Sequence, residues 1–195
     1  VTLLIMTLNE RECLPHIIPL INEDLFKQII VLDGGSKDGT IEWFQENGYF
    51  DLTKNRNNKK TYYITKPGFR HAYIDVRKYV TGDAVMYFTP DGNTPVNKIK
   101  NMIDEYRKGY DLVIGSRYLP ESYSDDDDIL TSFGNFVLRT TVNLLFSKKG
   151  FQKLTDPMIM FRIHKTSLPE NLKIDKRKRN RFERLLNVDV DWIPL

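Results

Sequence analysis

The chain has 195 residues, enough for one domain with a sizeable core and too few to call for two. Its 41% hydrophobic and 28% charged content matches an ordinary soluble globular protein, and a net charge of +3 is too small to make nucleic acid the default partner. A single cysteine, Cys13, excludes an intrachain disulfide and a thiolate zinc cluster, so a reducing, cytoplasmic setting is expected.

Residues 1–7 form an aliphatic run with the character of a buried parallel strand. Leu14, Ile17, Ile18 and Ile21 then recur at helical spacing, which predicts a helix over 9–21 with Asn9 as N-cap and Cys13 as a small core residue. A second strand over 28–32 closes on Asp33-Gly34-Gly35-Ser36, and a helix follows from Thr40 to Gly48. The polar stretch 51–60 reads as a loop, 61–65 as a third strand and 68–81 as a helix. A fourth strand over 83–89 runs into Pro90-Asp91-Gly92-Asn93, a helix spans 95–108, and a fifth strand covers 111–115. The second half is less regular. It holds an acidic loop over 118–128, an apolar amphipathic helix over 131–146, a late strand over 158–163 and a basic run over 173–184.

Alternating strands and helices imply a mostly parallel sheet with helices on both faces, and such sheets bind ligands beyond the carboxyl ends of their strands. That rule selects Thr7 to Glu10, Asp33 to Thr40, Lys66 to Arg70, Asp91 to Asn93, and Ser116-Arg117.

Asp91 follows a buried strand, and magnesium is typically held by one or two carboxylates together with substrate phosphates. Asn93, two residues on, offers an amide oxygen as a further ligand. An Asp-Gly turn is the bland alternative. A carboxylate at position 33 suits a nucleobase or ribose, and Gly35 lets a ligand approach the backbone, although a glycine-rich turn capped by Asp38 has the same composition. Glu10 serves either as a second nucleoside contact or as an acidic residue near a helix start. Arg117 and Arg70, the latter in Gly68-Phe69-Arg70, suit phosphate, or else surface ion pairs such as one with the aspartates at 125–128. His16, His71 and His164 show no metal-ligand spacing. No phosphate-loop or dinucleotide fingerprint is present, which argues against ordinary ATPases and dinucleotide oxidoreductases.

Taken in order, Thr7-Leu8-Asn9-Glu10, the run from Asp33 to Thr40, Gly82-Asp83 to Asp91, Gly115-Ser116-Arg117-Tyr118, and Asp156-Pro157 to Phe161-Arg162 resemble the family 2 glycosyltransferases of the GT-A fold. The likeness covers residues 1–165 and is greatest to the dolichol-phosphate and polyprenyl-phosphate sugar synthases. The resemblance implies a catalytic domain over 1–165, with 166–195 as a basic helical tail packed on it. It implies an inverting hexosyl transfer from a nucleotide-diphosphate sugar, assisted by Mg²⁺ or Mn²⁺, to a polyprenyl phosphate, with a glycan hydroxyl as the alternative acceptor. It further implies that Thr7, Asn9, Glu10, Asp33, Gly35, Ser36, Gly68 and Arg70 contact the donor. Asp91 with Asn93 would hold the metal, and Arg117 and Arg162 would meet the acceptor phosphate.

Three departures stand out. Gly34 replaces the second Asp of the family's Asp-Asp-Gly-Ser, Thr89-Pro90-Asp91 lacks the first carboxylate of its Asp-x-Asp, and Met158-Ile159-Met160-Phe161-Arg162 lacks the glycine of its late motif. The missing carboxylate makes a catalytically weak nucleotide-sugar-binding protein the alternative from another class. A hydroxyl acceptor would need a carboxylate base, for which Glu183, Asp189 and Asp191 are candidates. No apolar run approaches the roughly 20 residues that span a bilayer, and no signal peptide is visible. Opening at Val1 within a strand is the pattern expected of a trimmed chain. The apolar helix and the basic run suggest contact with the cytoplasmic face of a membrane.

Overall fold

The computed structural model describes residues 1–65, 69–119, 129–146, 154–156 and 159–171. Two compact units make up the chain: Val1–Val113 with Met160–Arg177, and Ile114–Ile159 with Lys178–Leu195.

The first unit is built on a sheet. Its strands are β1 (Thr2–Thr7), β2 (Gln28–Asp33), β3 (Phe50–Asp51), β4 (Lys60–Ile64), β5 (Ala84–Phe88), β6 (Leu112–Ile114) and β7 (Arg162–Lys165), in spatial order β3-β4-β2-β1-β5-β7-β6. The aliphatic runs of β1, β2 and β5 are buried almost throughout, as strands covered on both faces should be. Pairing of β1 with β2 and with β5 is parallel. The chain therefore builds outward on one side of β1 and then returns to its other side, which places the topological switch point between β1 and β5. The register Thr7↔Asp33 aligns the ends of β1 and β2, so the loops that follow leave the sheet side by side.

The helices are α1 (Leu14–Ile17), α2 (Thr40–Glu46), α3 (Phe69–Val76), α4 (Ile99–Tyr106), α5 (Ile129–Phe146) and α6 (Leu168–Asn171). Gly48 and Gly109 adopt φ of 81° and 104° just beyond α2 and α4, as the left-handed residue after a helix requires. Close approach demands glycine at a different position, Gly82. A Cβ there would lie 2.6 Å from the Thr2 backbone nitrogen.

Three expectations are corrected. The helix expected over 9–21 is only α1 followed by a 3-10 turn at Ile18–Leu20. Pro15 and Pro19 remove two donors, and Asn9, at φ 60°, is no helix cap. The late strand lies at Arg162–Lys165, not 158–163, and runs antiparallel to β5 with the register Val85↔His164. Part of the expected loop at 51–60 belongs to β3, which is only two residues long and pairs with β4. Gly68, the aspartates at 125–128, the run 173–184, Glu183, Asp189 and Asp191 lie outside the described residues, as do the side chains of Arg70 and His71.

Candidate functional site

At the carboxyl ends of β1 and β2, the two following loops are fastened to each other. The Gly34 amide donates to the Thr7 carbonyl at 3.0 Å. The Asn9 amide donates to Ser36 Oγ at 2.8 Å, and the Lys37 amide donates back to Asn9 Oδ1 at 2.9 Å. The Glu10 amide donates to Thr40 Oγ1 and the Arg11 amide to Asp38 Oδ2, both at 3.0 Å. The positive φ of Asn9 turns the chain so that its amide and its side chain both face the second loop, a conformation asparagine tolerates better than most residues.

Asp33 organises this junction from inside. It is completely buried. Its Oδ1 accepts from the amides of Gly35 and Ser36 at 2.9 and 2.8 Å, and its Oδ2 accepts from Thr7 Oγ1 and Ser36 Oγ at 3.1 and 2.5 Å. A buried carboxylate is tolerable when donors compensate it in this way. Gly35 holds φ 93° with no atom near the position of a Cβ, so backbone conformation requires glycine there and the space beside it is open. Asp38 accepts from the Thr40 amide and hydroxyl at 3.1 and 2.7 Å, which fixes the start of α2. Burial opposes the ionisation of Asp38, but the hydrogen bonds from Arg11 and Thr40 outweigh it and lower its pKa.

Glu10 contrasts with both. Its carboxylate makes no hydrogen bond to any described residue. Partial burial, followed by the negative charges of Asp91 and Asp38, raises its pKa. The loop after β5 thus brings Asp91 within electrostatic reach of the loop after β1. Asp91 is exposed, and its Oδ1 accepts from the Asn93 amide at 3.0 Å and from Thr89 Oγ1 at 3.3 Å. These bonds define an Asx turn, with Gly92 at φ 87°. Oδ2 of Asp91 takes part in no hydrogen bond to a described residue. Among the described residues no group of three or more His, Cys, Asp or Glu forms a metal cage. One open carboxylate oxygen fits an ion that completes its shell with phosphate and water.

Arg162 lies almost fully buried in β7 beside the last residues of β5, and its Nη2 is 3.8 Å from Met160 Sδ. His164 is a core histidine. Its Nε2 lies 2.8 Å from the Tyr87 hydroxyl and its Nδ1 2.6 Å from the Lys165 carbonyl, and burial lowers its pKa to about 4.

In the second unit, Arg117 forms a bidentate pair with Asp156: Nε to Oδ2 at 2.8 Å and Nη2 to Oδ1 at 3.2 Å. The Asp156 side chain is fully buried. The Arg117 backbone amide also donates to Asp156 Oδ2 at 3.3 Å, and the Arg117 guanidinium lies 5.4 Å from the Tyr118 ring centre. Asp156 marks the start of the last sequence motif, yet nothing in local spacing identifies it as the partner of a residue 39 positions earlier. The parts played by Asp38 and Thr40 in joining the loops are likewise absent from the sequence pattern.

An open α/β sheet of this kind binds ligands beyond the carboxyl ends of its strands, at the switch point between β1 and β5. The glycosyl transferase family 2 model matches residues 2–168, and the chain belongs to that family. It is 29% identical over 118 residues to glycosyltransferase AglJ of Haloferax volcanii, covering 60% of this chain and 36% of the relative. It is 31% identical over 123 residues to a dolichol-phosphate mannosyltransferase of Pyrococcus furiosus, covering 61% of this chain and 33% of that one. The chain thus aligns with about a third of the length of these relatives. Among solved structures, it resembles glucosyl-3-phosphoglycerate synthase from Mycobacterium tuberculosis in complex with uridine-diphosphate, with a TM-score of 0.62 at 18% identity over 94% of this chain and 65% of that one. The fold is GT-A.

Proposed function

We propose that the protein transfers a sugar from a nucleotide-diphosphate sugar to a polyprenyl phosphate, with inversion at the anomeric carbon. The observation that carries this reading is that Glu10 stands partly buried at the carboxyl edge of the sheet, with no hydrogen bond on its carboxylate from a described residue, and within the electrostatic reach of Asp91. Burial first, and then repulsion from Asp91, disfavour the Glu10 carboxylate, and a ligand that brings donors or positive charge relieves both.

In this reading Glu10 receives hydrogen bonds from the nucleoside. Asp33 acts through the Gly35-Ser36 backbone it holds in place, against which the donor lies, with Thr7 and Asn9 shaping the adjoining wall. A divalent cation, Mg²⁺ or Mn²⁺, held by Asp91 and the side-chain amide oxygen of Asn93, would neutralise charge on the departing diphosphate. The order of the sequence motifs assigns the acceptor phosphate to Arg162 and, separately, to Arg117, whose guanidinium Asp156 orients. One oxygen of that phosphate forms the new bond to the anomeric carbon as the bond to the nucleoside diphosphate breaks. The phosphate is already an anion, so no general base is required, and positioning with charge neutralisation suffices.

The acceptor assignment draws support from the name of the archaeal mannosyltransferase relative and from α5. No helix among the described residues is long and apolar enough to cross a membrane, but α5 exposes Phe133, Phe136, Val137 and Leu144. Peripheral contact with a membrane surface suits that composition.

The test is a panel of nucleotide sugars, screened for thermal stabilisation with and without Mg²⁺ or Mn²⁺ and followed by transfer to a short-chain polyprenyl phosphate. Lipid-linked sugar with release of nucleoside diphosphate is the expected result. Donor binding without turnover would instead mark a nucleotide-sugar-binding protein, and transfer only to free sugars would mark a hydroxyl acceptor.

A further inference from the structure

A cavity lies at the opposite edge of the sheet from Glu10 and Asp91. It has a volume of about 330 Å³ and opens between the turn before β2, the end of α2 and the first residue of β4. The six residues of β2 separate the two edges by roughly 20 Å, so a molecule in this cavity does not occupy the donor site.

Its chemistry has three parts. Ile18, Pro19, Ile21 and Trp43 supply an apolar wall. Lys60 and Glu23 face each other at 3.0 Å, and the same ammonium lies 4.9 Å from the centre of the Tyr49 ring. The charges of the cavity therefore cancel, and a charged ligand would find no uncompensated partner. The third part is a hydrogen-bonding capacity left unspent. Tyr49 is 4% exposed, and its hydroxyl makes no hydrogen bond to any described residue. Burial, and then the charge of Glu23, raise the phenol's pKa, which keeps it protonated and places the hydroxyl within reach of Glu23's field. Glu23 uses Oε1 for Lys60, leaving Oε2, and Asn47 uses its amide nitrogen for the Trp43 carbonyl, leaving Oδ1.

Although the Tyr49 ring is buried, its hydroxyl is not sealed from solvent, and its donor is available to a ligand in the cavity. We infer that this cavity is a binding site for a neutral sugar. One side of a pyranose ring is apolar and suits the aliphatic wall, and its rim carries hydroxyls that both donate and accept. Those hydroxyls accept from Tyr49 and donate to Glu23 Oε2 and Asn47 Oδ1. The volume is near the lower end for small-molecule sites and holds a single ring with part of a second. The inference is independent of the donor and acceptor proposed above, because it concerns a different edge and different residues.

The test uses saturation-transfer NMR and calorimetry with glucose, mannose, N-acetylglucosamine, maltose and cellobiose. At least one sugar is expected to bind saturably in the millimolar range. Tyr49→Phe should weaken that binding by about tenfold. Glu23→Gln, a change at the surface that tests the same site if Tyr49→Phe unfolds, should weaken it several-fold, whereas Asp91→Ala should leave it unchanged. No saturable binding by any of the sugars, or affinity unaltered in both Tyr49→Phe and Glu23→Gln, would overturn the inference. Loss of binding in Asp91→Ala alone would assign the sugar to the other edge and also overturn it. None of these results depends on whether transfer to a lipid phosphate occurs.

Discussion

The middle of the sheet's amino edge and its carboxyl edge use the same kinds of polar residue to opposite ends. At the amino edge, Gln28 Oε1 accepts from Thr2 Oγ1, the Thr81 amide and Thr81 Oγ1, and Gln28 Nε2 donates to the Tyr79 carbonyl at 3.0 Å. The Gly82 amide donates to Thr2 Oγ1 and Thr166 Oγ1 donates to the Gly82 carbonyl, so the network is closed on itself. At the carboxyl edge, Asp33 and Asp38 are saturated in the same manner, but Glu10 is left open in the field of Asp91. Closed networks fix a structure, whereas a carboxylate left without donors near another negative charge is open to a ligand that supplies them.

Breaking the open side should cost activity without stability. Asp91→Ala is expected to reduce sugar transfer by at least about a hundredfold, because it removes the proposed anchor of the cation that neutralises the departing diphosphate. Its unfolding midpoint should stay near that of the parent, since the side chain is exposed. Retained turnover would remove Asp91 from the mechanism.

Breaking the closed side should do the reverse. Asp33→Ala strands the donors of Thr7, Gly35 and Ser36 and should lower stability by roughly 3 kcal/mol in urea titrations. A proton can break a closed contact as well. His164 is neutral in the native protein down to about pH 4, whereas an unfolded histidine takes up a proton below about 6.5. Stability from this residue is therefore complete above pH 6.5, declines as pH falls toward 4 and is flat below, with a total loss of roughly 3 kcal/mol. Urea midpoints at pH 7 and 4.5 that differ equally in the parent and in His164→Gln would contradict this.

Gly82→Ala places a methyl against the Thr2 backbone and should cost about 1–3 kcal/mol, measurable as a lowered thermal midpoint. The smallest change is expected from Glu10→Gln. Removing one of three mutually repelling charges should raise stability by a few tenths of a kcal/mol while weakening donor binding. A fall in stability would show that Glu10 has a structural partner.

Much of this contrast is legible in the amino-acid order. The apolar runs at 1–7, 28–32 and 83–89 mark β1, β2 and β5, and the rule about strand ends leads directly to Glu10, Asp33 and Asp91. Long-range pairing is not legible. Residues 51–60 have a loop's composition, and only pairing with β4 makes a strand of Phe50–Asp51. Likewise, β7 is placed by β5, some 80 residues earlier in the chain, and its own alternation is too short to fix its limits. The hydrophobic period at 14–21 is genuine, but Pro15 and Pro19 limit how much of it becomes helix. Whether a carboxylate is spent or available depends on donors from distant loops, so Asp33 and Glu10 look alike until those loops are in place.

The antiparallel seating of β7 against β5 has a consequence for how the protein is made. The Asp91 turn leaves the sheet from β5, whose second neighbour is not synthesised until residues 162–165 emerge. A nascent chain that stops short of that point carries β5 with one flank unsatisfied, ready to zip onto any other strand it meets. Folding of the carboxyl edge is thereby tied to a late stretch of translation, and ribosome-bound chains in which residue 165 has or has not emerged should differ sharply in their resistance to protease.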